Sequence, residues 1–189
     1  MKKTLIVIDM QNDFIDGSLG TKEAQAIVPN VKNKIDEYYT LGYDIVFTRD
    51  THQENYLDTM EGKVLPVKHC IENTDGWEIS KELDTSIASA IINKPNFGYI
   101  DWVSYLSDFS DIEDEDNWLP IQKEECPECI EILGLCTDIC VVSNALILKA
   151  TYPETNITVD ASCCAGVTTE SHQAALTTMK MCQINVIGE

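Results

Sequence analysis

The chain has 189 residues with 13 basic and 32 acidic side chains, so its formal net charge is −19. Its length is typical of one domain with a full hydrophobic core, and its 44% hydrophobic content is too high for a disordered chain. So acidic a protein is not expected to bind nucleic acid or an anionic membrane, because both require a cationic face.

Strand and helix patterns alternate along the chain. Leu5–Ile8 is a continuous apolar run typical of a strand buried on both faces, and the apolar residues of 24–41 recur at helical spacing. In chain order the patterns predict a strand over 5–8, a helix over 24–41, a strand over 44–48, a polar loop over about 49–76, a helix over 80–90, a strand over 91–93, a strand over 131–134, a helix over 140–150, a strand over 156–159, a helix over 170–181 and a strand over 184–187. This alternation predicts one α/β domain over residues 1–189, a Rossmann-like three-layer sandwich in which helices cover both faces of a six-stranded parallel sheet.

No targeting segment is evident near the start of the chain. The apolar run after Lys2 and Lys3 is four residues long, too short for a secretory signal. No stretch approaches the ~18 apolar residues that a membrane helix needs. We therefore expect a cytoplasmic protein whose eight cysteines are mostly reduced thiols.

Two segments stand outside the alternating pattern. Residues 108–116 hold six acidic side chains, which favours a solvated loop or an insertion over about 108–117, with a partner-binding or cation-binding patch as the alternative. Cys126-Pro-Glu-Cys129 lacks the second cysteine pair that a zinc ribbon needs. We interpret it as a loop rather than as a redox or zinc site.

Reactive side chains follow four of the predicted strands. Asp9 comes after the first strand, Asp50 and His52 after the second, Lys94 after the third, and the segment 134–140 after the fourth. In open parallel sheets the ligand lies beyond the carboxyl ends of the strands, so we expect these residues to meet at one edge. Asp9 directly follows buried apolar residues and therefore needs a cation or several donors, which Lys94 could supply across the crevice.

Cys140 is the candidate nucleophile. It lies where the fourth predicted strand gives way to a helix, and the positive end of a helix dipole favours a thiolate. Backbone N–H groups at a helix start also form a natural site for an oxyanion. The alternative is that Cys140 is an ordinary buried structural cysteine.

The polar loop after the second strand carries side chains suited to a metal ion. They are Asp50, His52, Glu61 and His69. Imidazole and carboxylate ligands suit zinc, manganese or iron. Glu54 could take the place of Glu61, and the spacing does not decide between them. His172, on the last predicted helix, is interpreted as a surface residue.

Three motifs together resemble those of the isochorismatase-like cysteine hydrolases. They are Asp9-Met-Gln-Asn-Asp-Phe14, Lys94 after the third strand, and Gly134-Leu-Cys-Thr-Asp-Ile-Cys140-Val. The resemblance runs from Leu5 to about Ile187 and, within that family, is greatest to the nicotinamidases. It implies the isochorismatase-like fold and the hydrolysis of nicotinamide to nicotinic acid and ammonia through a thioester intermediate.

The resemblance also implies a role for each site residue. Asp9, Lys94 and Cys140 match the family's catalytic triad, in which the aspartate accepts the thiol proton. The backbone N–H groups of Cys136 and Cys140 would bind the oxyanion beside a cis Leu135–Cys136 peptide bond. The implied metal ligands are Asp50, His52, Glu61 and His69, and the implied substrate contacts are Phe14, Phe97 and Leu135. The metal would be divalent, zinc with manganese or iron as alternatives, and would bind the pyridine nitrogen.

Two departures from the family pattern concern the substrate. Pro66 stands three residues before His69, where nicotinamidases often carry a tryptophan or phenylalanine, and Phe97 stands where a tyrosine is usual. The expected partner is a small-molecule amide, so a carbamoyl compound or a ureide is an alternative substrate. A non-catalytic metal- or ligand-binding module is a second alternative, and a homo-oligomer is left open.

Overall fold

Six parallel strands form one sheet in the part of the chain that a computed structural model describes, residues 3–106 and 126–189. The strands are β1 (Lys3–Ile8), β2 (Asp44–Asp50), β3 (Ala90–Lys94), β4 (Cys129–Leu135), β5 (Asn156–Ala165) and β6 (Asn185–Ile187). Their spatial order is β3-β2-β1-β4-β5-β6, and every neighbouring pair is parallel. The acidic stretch 108–116 and the insertion predicted over about 108–117 lie outside the described residues.

Helices of very different lengths connect these strands. In the described ranges they are α1 (Asn12–Ile15), α2 (Lys22–Thr40), α3 (Met60–Val64), α4 (Val103–Leu106), α5 (Val142–Thr151) and α6 (Thr169–Met181). Short 3-10 turns cover Tyr56–Asp58, Asp75–Trp77 and Thr85–Ile87, and a π-helical turn, Thr137–Val141, precedes α5. None of these described helices is both long enough and apolar enough to cross a membrane.

The strand order reverses direction beside β1. The chain passes from β1 to β2 and β3 on one side, then returns to β4 and continues to β5 and β6 on the other. Because strand–helix–strand crossovers are right-handed, this reversal puts α2 on one face of the sheet and α5 and α6 on the opposite face. Leu5–Ile8 in the central strand are completely buried, as cover on both faces requires. The α/β sandwich predicted from the alternating patterns is confirmed.

The longest helix shows how the sequence specifies these elements. Ile27, Val31 and Ile35 recur at helical spacing, and all three are buried in the core that α2 forms with the sheet. Thr21 caps the start of the helix by accepting a hydrogen bond from a backbone N–H of the first turn at 3.0 Å. Gly42 follows the last turn with a φ of +69°, a left-handed conformation that ends the helix.

The prediction of a helix over 80–90 is wrong. The chain forms there only the 3-10 turn Thr85–Ile87 before β3 begins. The Asp84 carboxylate accepts hydrogen bonds from Ser86 N at 2.9 Å and from Ser86 Oγ at 2.6 Å. Such local side-chain bonds compete with helical hydrogen bonds, so the segment turns and then joins the sheet.

Two other segments differ in extent from their predictions. The polar loop predicted over about 49–76 contains α3 and a 3-10 turn. The strand predicted over 156–159 continues as β5 to Ala165. Asp160 and Ser162 interrupt the apolar run there, so the hydrophobic pattern stops before the strand does.

Two glycines with positive φ should differ in how well they tolerate a side chain. A Cβ on Gly134, at φ +121°, would lie 2.1 Å from Ile8 O, whereas a Cβ on Gly42, at φ +69°, would meet nothing within 4 Å. We predict that Gly42→Ala lowers the free energy of unfolding by about 1–2 kcal/mol, the cost of left-handed backbone. Gly134→Ala should lower it by at least ~3 kcal/mol, because β1 or β4 must also move. Urea denaturation measures both, and equal losses would contradict the close approach of the two strands.

Candidate active site

Four polar side chains from four strand ends meet at the carboxyl edge of the sheet. Asp9 directly follows β1, and Asp50 and Lys94 are the last residues of β2 and β3. Cys140 lies in the π-helical turn after β4. All four are buried, with Asp9 and Lys94 fully inaccessible and Cys140 4% exposed. The structure therefore brings together the residues that the strand-end argument grouped.

Lys94 occupies the centre of this group. Its Nζ lies 2.6 Å from Asp9 Oδ2, 3.5 Å from Cys140 Sγ and 3.5 Å from Asp50 Oδ1. The second oxygen of Asp9 accepts a hydrogen bond from Thr48 Oγ1 at 2.6 Å. One lysine therefore contacts a carboxylate and a thiol at once, and neither of these groups is open to bulk water.

Burial controls the charge of these groups. It raises the pKa of the Cys140 thiol well above its ordinary value, and the charge of Lys94 offsets this only in part. The effect of the helix start, which is expected to favour the thiolate, is therefore opposed by the burial of the thiol. Burial also raises the pKa of Asp9 against the opposing charge of Lys94. For Lys94 burial disfavours the ammonium, but the negative groups around it, with Asp9 first among them, together outweigh burial and raise the pKa of Lys94.

The turn that carries the nucleophile is folded around the carbonyl of Cys136. The Leu135–Cys136 peptide bond is cis, as the family resemblance implies. Cys136 O accepts hydrogen bonds from Ile139 N at 3.1 Å and from Val141 N at 3.0 Å. Cys140 forms no disulfide bond with another described cysteine. One short segment thus positions both the thiol and the backbone N–H groups around it.

A second group of side chains lies beside the first and could hold a metal ion. Its members are Asp50, His52, Glu61 and His69. One ligand atom from each lies within 4.8 Å of the others. Asp50 Oδ2 lies 3.0 Å from His52 Nε2 and 3.7 Å from His69 Nε2. Glu61 Oε1 lies 3.4 Å and 3.7 Å from the same two nitrogens.

The structure decides between the two glutamates that the sequence left open. Glu61, in the first turn of α3, directs its carboxylate toward the two histidines. The Glu54 side chain is 82% exposed, and its carboxylate pairs with Lys68 Nζ at 2.9 Å. Glu61 therefore belongs to the candidate metal site and Glu54 does not.

The donor set fits a divalent metal ion. His52 Nε2 is buried and has no hydrogen-bond partner among the described residues, although it faces two carboxylates. His69 Nδ1 lies 2.9 Å from Val67 O, a contact that orients the ring with Nε2 toward the cluster. Burial lowers the pKa of His52, but the neighbouring carboxylates outweigh it and raise that pKa to about 9. The cluster therefore strongly favours positive charge, and its ligands suit zinc, manganese or iron.

Gln11 and Asp13, two residues of the Asp9–Phe14 motif with no role predicted from the sequence, bond to the backbone beside the candidate metal ligands. The Gln11 side chain accepts a hydrogen bond from Asp50 N at 2.7 Å and donates one to Asp50 O at 2.9 Å. Asp13 Oδ2 accepts a hydrogen bond from Cys70 N at 2.8 Å, next to His69. Their membership of the motif was the available signal, but their partners lie far away in the sequence.

The three residues predicted to contact substrate differ in their surroundings. Phe14 is buried, and its ring centroid lies 5.5 Å from that of His69. Leu135 is buried at the end of β4, whereas Phe97, beyond β3, is 43% exposed. Tyr56, which the sequence analysis did not consider, packs its ring 4.6 Å from that of His52. Aromatic rings therefore surround the histidines of the candidate metal site.

Known proteins share this fold over nearly the whole chain. The family model of the isochorismatase domain matches residues 3–188. A nicotinamidase of Schizosaccharomyces pombe is 28% identical over 212 residues, which cover 98% of this chain and 92% of the relative. The crystal structure of a pyrazinamidase of Pyrococcus horikoshii in complex with zinc is 26% identical, with a TM-score of 0.76 and 100% of both chains covered. That of an N-carbamoylsarcosine amidase of Thermoplasma acidophilum is 25% identical, with a TM-score of 0.72 and coverage of 98% of this chain and 95% of that one.

Glu61→Gln should weaken zinc binding, because it replaces a charged ligand by a neutral amide. We expect the Kd for zinc to rise at least ~10-fold, the lower end of the losses found when groups around a metal are removed. Glu54→Gln is the matched control, and the exposed position of Glu54 predicts an unchanged Kd. Isothermal titration calorimetry of metal-stripped protein measures both values. Equal effects of the two substitutions would show that the glutamates are wrongly assigned.

Proposed function

The chain belongs to the isochorismatase family, and we propose that it is a metal-dependent cysteine amidohydrolase that converts nicotinamide and water to nicotinic acid and ammonia. The observation that carries this proposal is the position of Lys94. Its Nζ contacts Asp9 at 2.6 Å and Cys140 at 3.5 Å, beside four side chains that can bind a metal. The nicotinamidase and the zinc-bound pyrazinamidase among the relatives support the choice of substrate.

Asp9 is the proposed general base for the first half of the reaction. As Cys140 Sγ attacks the amide carbonyl carbon, Asp9 takes the thiol proton and the C=O π electrons move onto oxygen. Lys94 stays protonated and stabilises the negative charge that is shared between the carboxylate and the sulfur. When the C–N bond breaks, Asp9 returns the proton to nitrogen, so that ammonia leaves and a thioester remains on Cys140.

The same groups complete the hydrolysis. Asp9 takes a proton from a water molecule as the water oxygen attacks the thioester carbonyl. The C–S bond then breaks, the proton returns to Cys140 Sγ, and the acid is released. Burial raises the pKa of Asp9, which makes its carboxylate a stronger base than in water, and it also raises the pKa of the Cys140 thiol.

The backbone N–H groups of Cys136 and Cys140 are the proposed oxyanion donors. Both residues lie in the segment that joins β4 to α5, and Cys140 is buried. Backbone donors that are held in place before the reaction stabilise a developing oxyanion strongly, because water is excluded and no reorganisation is needed. The side chain of Cys136 has no part in this role.

The second group of side chains is proposed to position the substrate. Its members would hold a divalent ion, zinc or alternatively manganese or iron: Asp50, His52, Glu61 and His69. When bound, the ion offers a coordination position to the pyridine nitrogen of the substrate. Phe14 packs beside His69 and would contact the ring, together with Phe97 and Leu135. Since Asp50 also contacts Lys94 at 3.5 Å, the ring would be held close to the nucleophile.

A carbamoyl compound is the second candidate substrate. The similarity to an N-carbamoylsarcosine amidase supports it, and the triad of Asp9, Lys94 and Cys140 could attack any small amide. The candidate metal site favours nicotinamide, because its ligands have no evident part in attack on a carbonyl. A non-catalytic binding module is disfavoured, because it would not need a buried lysine in contact with both a carboxylate and a thiol.

Cys140→Ala should abolish turnover, because it removes the only protein atom proposed to form a covalent bond with the substrate. Cys136→Ala is the matched control and should retain most of the wild-type kcat, since only its backbone is used. Ammonia release measures both rates, and zinc titration checks that the metal site is intact. The loss of one catalytic group is expected to lower the rate at least ~10²-fold. If Cys140→Ala kept more than ~1% of the wild-type rate, the assignment of the nucleophile would be wrong.

Nicotinamide should be hydrolysed much faster than benzamide, which has the same size but lacks the ring nitrogen. A lost metal–nitrogen bond in a buried site is expected to lower kcat/KM at least ~10²-fold, since each 1.4 kcal/mol is about tenfold. A chelator should suppress turnover of nicotinamide, and zinc, manganese or iron(II) should restore it. Equal rates on the two amides, or full activity of metal-free protein, would exclude this substrate assignment. N-carbamoylsarcosine as the better substrate would favour the second candidate.

A further inference from the structure

His172, on α6, does not have the surface position that the sequence analysis predicted. Its side chain is half-buried, and its Nδ1 lies 2.8 Å from Thr137 Oγ1. Thr137 is fully buried and is the first residue of the π-helical turn that contains Cys140. His172 therefore contacts the segment between the cis peptide bond and the proposed nucleophile.

The next residue of that turn contacts the same end of α6. Asp138 accepts hydrogen bonds from Val167 N at 3.1 Å and from the Ser171 hydroxyl. Ser171 also forms the capping box with Thr168 that begins α6. The first turn of α6 is thus bonded to two consecutive residues of the nucleophile turn.

The contact between His172 and the turn has little room to shift. A Cβ on Gly166 would lie 2.8 Å from His172 Cβ, so the connection from β5 to α6 packs directly against the histidine. Within the described residues the π-helical turn has no side-chain cap of its own. Side chains of α6 therefore supply the support that the turn lacks locally.

We propose that His172 is a positioning residue for the oxyanion site and acts through Thr137 on the backbone between Cys136 and Cys140. This inference rests on the proposed cysteine chemistry, which assigns the N–H groups of that backbone to a developing oxyanion. His172 does not touch the reacting atoms. Its hydrogen bond with Thr137 fixes the direction of the backbone N–H donors that would contact the oxyanion. That direction decides how well the oxyanion is stabilised.

Two reactions of the same sulfur test this role. In acylation by p-nitrophenyl acetate, Cys140 Sγ bonds to the carbonyl carbon, its proton passes to Asp9, the C=O π electrons move onto oxygen, and their return expels p-nitrophenolate. In alkylation by iodoacetamide, Sγ bonds to the CH₂ carbon as iodide leaves, the thiol proton again passes to Asp9, and no oxyanion forms. Tandem mass spectrometry that localises the label within the sequence measures each rate at Cys140 separately from the other seven cysteines. The ratio of acylation to alkylation is the readout.

His172→Phe keeps a ring of similar size and removes Nδ1. We expect the ratio to fall at least ~10-fold, less than the ~10²–10³-fold loss caused by removing an oxyanion donor itself. His172→Asn, whose side-chain amide can reach the Thr137 hydroxyl, should recover most of the ratio. Gln173→Ala changes an exposed side chain on the same helix and should match the wild type.

Thr137→Val provides an independent variant, should His172→Phe fail to fold. It removes the partner hydroxyl at nearly constant volume and should lower the ratio as much as His172→Phe does. The double variant should be no worse than either single variant, because both remove the same hydrogen bond. Multiplicative losses in the double variant would overturn the route through Thr137.

Three other outcomes also test the proposal. An unchanged ratio in His172→Phe and Thr137→Val would overturn it. Equal losses in both reactions would also overturn it, because they would show that the thiol itself had been disturbed. If the ratio falls as expected while the wild type does not hydrolyse nicotinamide, the proposed substrate fails and the role of His172 stands.

Discussion

A lysine ammonium buried at the carboxyl edge of the sheet is the constraint on which the rest of the site depends. An unpaired ammonium in an apolar interior costs several kcal/mol, and Lys94 is stabilised there by Asp9 and Asp50, 2.6 Å and 3.5 Å away, and by a hydrogen bond that it donates to Asn96 O at 3.1 Å. Exclusion of water strengthens the attraction among the three charges. The pairing also joins two parts of the site, since Asp9 belongs with the thiol and Asp50 with the candidate metal ligands. Neither part can move without leaving a buried charge unpaired.

The topology of the sheet explains why this pairing forms. Asp50 and Lys94 are directly opposite each other in the parallel register of β2 and β3, and Asp9 follows the neighbouring central strand β1. The strand on the other side of β1 delivers Cys140 across the point where the strand order reverses. The position of each group therefore depends on strand register rather than on the conformation of a long loop. Gln11 further fixes the position of Asp50, because its side chain forms hydrogen bonds with both the backbone N–H and the backbone C=O of Asp50.

Sequence patterns predicted the features that depend on local periodicity and on strand ends. The apolar run Leu5–Ile8 indicates a strand buried on both faces, because no polar position interrupts it. Prediction failed where the deciding partner is distant in the sequence. The helix start at Cys140 is a local signal that favours a thiolate, whereas burial by distant parts of the fold raises the pKa of the thiol. The interpretation of His172 as a surface residue failed because its partner Thr137 is 35 residues away. The signal that was present is its helical spacing from Ala175, Leu176 and Met179, the buried residues of α6.

The charges of the proposed site balance for a neutral substrate. Asp9 and Lys94 offset each other, and Asp50 and Glu61 together carry the charge that offsets a divalent ion. A neutral amide therefore enters without adding an unpaired charge to a buried site. The acid product is an anion, and neither the site nor a chain of net charge −19 neutralises it. In the proposed reaction a neutral amide is replaced by an anionic acid, which adds a negative charge to a site whose own charges already balance and so favours release of the product.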